Sequence, residues 1–79
     1  MTTESFIKAL GNEIRSRRKR KKLTQVGLAV RANVHPNTVS LIERAETVAG
    51  LEALLVLAEA LDTPLSQIIK GAEDRISLR

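Results

Sequence analysis

The chain has 79 residues, 43% of them apolar, with one Phe, one His, no Cys, Trp or Tyr, and a net charge of +4. That length holds one small domain whose core must come from Leu, Ile, Val and Ala. Without Cys there are no disulfides or thiolate sites, and a single His cannot complete a metal shell, so no cofactor is expected.

Apolar positions recur at helical spacing and no strand alternation is visible, which predicts an all-α chain. The first helix is expected from Thr3 or Ser5 to Lys21, with Phe6, Leu10 and Ile14 as its buried stripe and Ile7 beside them. Thr24 is a natural N-cap for a second helix ending near Ala32, with Leu28 and Ala29 inward. Asn33 suits a turn that needs positive φ, and Val34 then enters the core. His35 caps a third helix with Pro36 at its first position, where the missing N–H costs nothing. Val39 and Ile42 point inward from it.

A fourth helix is expected over Leu51 to Leu61, with Leu51, Leu54, Leu55, Ala58 and Leu61 as its stripe and Val56 and Leu57 on other sides. A helix so apolar all round is either deeply buried or shared with a partner. Asp62 and Thr63 break it. Pro64 starts a short fifth helix with Leu65, Ile68 and Ile69, Gly71 is placed to end it, and residues 72–79 form a tail expected to fray. The sum is a single domain, 1–79, folded as a compact five-helix bundle.

No apolar run is long enough to cross a bilayer. The opening MTTESFIKAL lacks a signal peptide's layout. A cytoplasmic protein with no membrane partner is the expectation. Charge is unevenly distributed: residues 1–44 carry ten Lys/Arg against three Glu, and residues 45–79 carry three Lys/Arg against six Asp/Glu. A cationic half suits a protein that meets a polyanion with one face.

The stretch TQVGLAVRANVHPNTVSLIE, residues 24–43, reads as two short helices joined by a three- or four-residue turn. That is the helix-turn-helix unit, here about 24–44, whose second helix enters the major groove of double-stranded DNA. With Val39 and Ile42 inward, Asn37, Ser40, Leu41 and Arg44 form the outward face. Asn matches adenine N6 and N7, Ser bonds several bases, Leu can meet a thymine methyl, and Arg reaches guanine or phosphate. Thr38 either joins them or bonds backbone within the helix. His35 reads a base or phosphate, or is simply a cap. The run RSRRKRKK, residues 15–22, holds seven cations in eight positions. Lys21 and Lys22, nearest the second helix, are its best phosphate contacts, and the alternative is a solvated helix face. No catalytic set accompanies these residues, so the chain is not expected to be an enzyme.

Residues 10 to 69 resemble the Cro-type, phage-repressor-like family of helix-turn-helix regulators. The resemblance is carried by LG at 10–11, IR at 14–15, Arg18, LTQ at 23–25, LA at 28–29, Val34, TVSLIER at 38–44, LEALLVLAEAL at 51–61 and the PLSQII ending. It implies a lambda-repressor-like fold and a sequence-specific transcriptional regulator, usually a homodimer. Small restriction-modification controllers are among the similar chains. It further implies that Gln25 bonds a phosphate and braces the recognition helix. Arg18 and Glu43 would then form a largely buried structural ion pair between the first and third helices. This chain departs from the family at Gly27, which removes the capping-box acid; at Asn33, in place of the turn glycine; at Pro36, which leaves an apolar contact where relatives carry a polar reader; and at Ala45-Glu46, in place of a Gly-basic pair.

Leu65, Ile68, Ile69, Ile76 and Leu78 are expected to supply a homodimer interface. A twofold dimer reads two half-sites about 34–36 Å apart. The alternative is an antitoxin-like interaction protein whose acidic half grips a protein partner while the basic half holds DNA.

Overall fold

A computed structural model describes residues 1–77, and Leu78, an expected interface residue, lies outside them. Thr2 starts the first helix through a capping box: its hydroxyl accepts from the Ser5 N–H at 3.0 Å, and the Ser5 hydroxyl accepts from the Thr2 N–H at 3.0 Å. Helix α1 then runs Thr3–Arg20, followed by α2 Gln25–Ala32, α3 Pro36–Glu43, α4 Leu51–Ala60 and α5 Leu65–Ser77. Among the described residues there is no strand. The long α1 packs against α5 and α3, while α4 packs against α2 and α5.

The core is aliphatic, as composition requires: Ile14, Leu28, Val39, Leu57, Leu61 and Ile68 are fully enclosed. Phe6 is half-buried and leans on this cluster. Two expectations are corrected. On α4 the buried line is Leu57, Ala58 and Leu61, with Leu54 partly covered, whereas Leu51 and Leu55 stand 67% and 50% exposed. Leu57, placed on another side from the sequence, is the most enclosed residue of this helix. Leu and Val on every side leave no periodic contrast to fix the phase, so neighbouring helices decide it.

The second correction is α5, which passes through Gly71 and continues to Ser77. Glycine costs a helix interior about 1 kcal/mol relative to alanine. Here a Cβ at position 71 would stand against the Glu13 carboxylate of α1, so the missing side chain leaves that carboxylate room to sit between the two helices. Ala72 and Ile76 then extend the buried stripe, and Arg75 reaches Glu13 at 2.8 Å. These tertiary contacts override the local stop signal.

Four helix ends turn on a non-glycine residue with positive φ: Lys22 (59°), Asn33 (57°), Ala45 (57°) and Asp62 (53°). Each closes a paired reverse-turn cap. After α3, the Glu46 N–H reaches the Leu41 carbonyl at 2.9 Å and the Ala45 N–H reaches that of Ile42 at 3.1 Å. Alanine has no polar group to offset the left-handed conformation. Ala45→Gly is therefore expected to add about 0.5–1 kcal/mol, the steric relief less the greater chain entropy of glycine. Thermal denaturation would register a higher midpoint, and an unchanged or lower one would contradict the left-handed turn.

Candidate nucleic-acid interface

The unit expected from the sequence is present: α2, a turn of Asn33, Val34 and His35, then α3. The Thr24 side chain accepts from the Gly27 N–H at 2.9 Å, and glycine there leaves that bond without its reciprocal partner. Asn33 takes the left-handed turn, with its φ of 57° and ψ of 45°. The Val34 N–H returns to the Ala29 carbonyl at 3.0 Å. His35 caps α3 with Nδ1, which accepts from the Asn37 N–H at 3.0 Å. An accepting Nδ1 leaves the ring proton on Nε2, an outward donor at the start of the helix.

A buried polar clamp holds these helices in fixed relation. Arg18 donates to Glu43 through Nε (2.7 Å) and Nη2 (3.0 Å), and through Nη1 to the Leu23 carbonyl (2.8 Å). The Gln25 amide donates to the same Glu43 carboxylate at 3.0 Å. One carboxylate on α3 thus receives α1 and the first residue of α2, while the guanidinium also secures the α1–α2 turn. Hydrogen bonding to Glu43 raises the Arg18 pKa further above its ordinary value, against the opposing effect of burial, so the guanidinium stays charged. Gln25 is thereby a brace for α3, with the rest of its amide left at the front of α2.

With Val39 and Ile42 turned inward, α3 presents Asn37 and Arg44 exposed and Pro36, Thr38, Ser40 and Leu41 half-exposed. Arg44 is tied in place: its Nε donates to the Ser40 hydroxyl at 3.1 Å and its Nη1 meets Glu46 at 2.7 Å. Sequence spacing did not reveal this link, because Glu46 lies beyond the helix and is brought back by the Ala45 turn. Ser40 and Arg44 therefore form one hydrogen-bonded unit, and Glu46 lowers the positive charge at that end.

Of the two lysines expected on phosphate, Lys21 is paired within the chain to Asp62 at 3.0 Å, where Arg31 also approaches at 3.5 Å. Hydrogen bonding from Lys21 holds the Asp62 carboxyl below the usual carboxylate range. Lys22, exposed, makes no ion pair among the described residues. Of the expected interface residues, Ile68 is 1% exposed and is corrected to core, since it lies within the enclosed apolar cluster rather than toward solvent. Leu65, Ile69 and Ile76 are half-buried against the same cluster.

Sequence reading also missed a second ionic centre. Glu13 is buried, yet it meets Arg17 at 2.6 Å and Arg75 at 2.8 Å, with Arg20 at 4.0 Å. Burial alone would push this carboxyl up, but hydrogen bonds from Arg75 and Arg17 outweigh it and hold it below the ordinary value. The i,i+4 pair of Glu13 with Arg17 was visible in the sequence, whereas Arg75 is 62 residues away and was not.

Fold and site together define a helix-turn-helix protein, and the chain belongs to that family: its helix-turn-helix domain model matches residues 9–68. It is a DNA-binding domain of the transcription-regulator class. Among solved structures, the chain is similar to the clp gene regulator ClgR from Corynebacterium glutamicum. They share 29% identity over 92% of this chain and 78% of that one, with a TM-score of 0.87. It is also similar to the restriction-modification controller protein C.AhdI from Aeromonas hydrophila, at 29% identity over 78% of this chain and 94% of that one, with a TM-score of 0.77. No curated protein matches the chain. No helix among the described residues is long and apolar enough to cross a membrane.

Proposed function

We propose that the chain is a sequence-specific regulator that binds a pseudo-palindromic operator as a homodimer, with α3 in the major groove. The observation that carries this reading is the outer face of α3, solvent-facing on a helix whose orientation is locked by the Arg18–Glu43–Gln25 clamp. Asn37 is the main reader, with its side-chain amide free to pair with adenine N6 and N7. Pro36 and Leu41 offer apolar contact to a thymine methyl, and Thr38 and Ser40 offer hydroxyls. Arg44 reaches guanine or phosphate by exchanging Glu46 for the nucleic acid. Lys22, Gln25 and the Nε2–H of His35 flank this face and hold the backbone. Lys21 contributes only if it leaves Asp62.

A single recognition helix reads few base pairs, and a second copy doubles the site. The apolar surface for that contact consists of the half-buried Leu65, Ile69 and Ile76, together with Leu51 and Leu55 on α4. The names of the similar proteins, a gene regulator and a restriction-modification controller, agree with a regulatory role. The alternative of a protein partner gripped by the acidic half would draw on the same α4 surface.

Selection of bound sequences from random duplexes tests the reading. A twofold motif with half-sites one helical turn apart is expected, and binding without any motif would defeat it. Asn37→Ala should relax preference at one position per half-site, worth about 1–3 kcal/mol of discrimination. Lys22→Ala should weaken all sequences alike and flatten the salt dependence. An unchanged motif for Asn37→Ala would remove that residue from the reading face.

A further inference from the structure

A second cationic surface lies on α1, away from the line Gly11–Ile14–Arg18 that faces α3. Asn12, Arg15, Ser16, Lys19, Arg20 and Arg75 together line one open concavity of about 520 Å³. Four of the six are cations and none is acidic. Arg15 and Lys19 make no ion pair among the described residues, and Arg20 only approaches Glu13, at 4.0 Å. The Glu13 carboxylate that sits behind this surface is already held by Arg17 and Arg75. One carboxylate against five cations leaves the region strongly positive.

We infer that this concavity binds the phosphodiester backbone of nucleic acid outside the half-site read by α3. The inference deepens the DNA-binding reading above and rests on it. Two features favour a phosphate backbone over an acidic protein. The lining contains no apolar side chain, whereas protein interfaces centre on apolar and aromatic anchors. Arg, Lys, Ser and Asn side chains are the groups that meet phosphate and sugar oxygens. The surface also runs toward the proposed DNA face: Arg15 and Lys19 follow one another at i and i+4 on α1, which ends at Arg20, five residues before Gln25. Ser16 and Asn12 add neutral donors between the cations.

The backbone has two possible sources, the flanks of the bound duplex or a second duplex. Binding is measured against salt for the wild-type chain and for the triple variant Arg15→Gln, Lys19→Gln, Arg20→Gln. Each is titrated with a duplex of about 20 base pairs, two helical turns, and one about twice as long. All three side chains are exposed, so the variant is expected to keep the wild-type helical content. The single variant Lys19→Glu repeats the measurement if it does not.

If the flanks are bound, the wild type shows a steeper salt slope on the long duplex, by about 0.9 for each added phosphate contact, and the variant shows equal slopes on both. If a second duplex is bound, sedimentation shows the wild type holding two short duplexes per assembly and the variant holding one. Equal slopes for wild type and variant on the long duplex, with no second duplex, overturn the inference. So does loss of binding to polyglutamate alone, which would assign the concavity to an acidic protein. The two readings fail separately. A retained sequence motif with no slope change defeats only the concavity, and a variant-sensitive slope with no motif defeats only the operator reading.

Discussion

Glu43→Ala should cost roughly 3–5 kcal/mol of folding free energy, because it leaves Arg18 charged, buried and without its counter-ion. The Arg18 side chain is 9% exposed and that of Glu43 is 2% exposed, so water cannot replace the lost carboxylate. Gln25 loses its acceptor in the same step. A domain of this length has a total stability on the order of 4–12 kcal/mol, so the variant should lose a large share of it. Urea denaturation measures the loss, and a cost under about 1 kcal/mol would mean that the pair is solvated. Exchanging both partners for apolar residues, Arg18→Met with Glu43→Leu, should recover most of the stability, since no charge is then stranded. That double variant should still bind DNA less well: Gln25 no longer has a carboxylate to brace against, and nothing polar fixes α2 to α3.

The parts of this fold legible in the sequence are those fixed by local chemistry. Thr24, Asn33 and the His35-Pro36 pair each impose a cap or a turn within a few residues, so α2, its turn and α3 lie where the sequence predicted. Helix α4 was legible as an element but not in its orientation, because Leu51, Leu54, Leu55, Val56 and Leu57 are alike in hydrophobicity and only packing distinguishes them. Helix α5 was read too short. Gly71 is a stop signal taken locally, and its real partner is Glu13, 58 residues earlier.

The candidate site divides along the same line. Which α3 side chains face outward follows from helical period alone, once Val39 and Ile42 are assigned inward. What neighbours do to those side chains does not. Glu46 is joined to Arg44 through a turn whose residue, Ala45, carries no left-handed preference, and Lys21 is drawn off by Asp62 at the far end of α4. Charge counting found the basic half correctly as a composition. The closing of α5 onto α1 then gathers part of it, with Arg75 from the acidic half, into one concavity.

Gly11→Ala should destabilise the domain by about 1–3 kcal/mol, the reverse of its usual effect inside a helix. On an exposed helix the substitution gains about 1 kcal/mol through propensity. At position 11 an added Cβ would lie 2.9 Å from the Glu43 carbonyl oxygen and 3.2 Å from its carbon, and closer still to the Ile42 carbonyl oxygen. These are backbone atoms of the last turn of α3, so no side-chain rotation can relieve the clash, and the two helices must move apart. Gly27→Ala is the matched control. There the nearest atoms are the Thr24 hydroxyl at 3.2 Å and a Leu23 methyl at 3.6 Å, both on side chains that can yield, so a gain of up to about 1 kcal/mol is expected. Opposite signs for the two variants in urea denaturation would establish that α1 and α3 meet backbone to backbone, and a gain at both positions would refute it. The consequence reaches the recognition face. Displacing the end of α3 shifts Glu43 away from Arg18 and Gln25, and tilts Asn37, Ser40 and Leu41 relative to the front of α2. Gly11→Ala should therefore weaken DNA binding even at temperatures where the variant is fully folded, whereas Gly27→Ala should leave base preference unchanged.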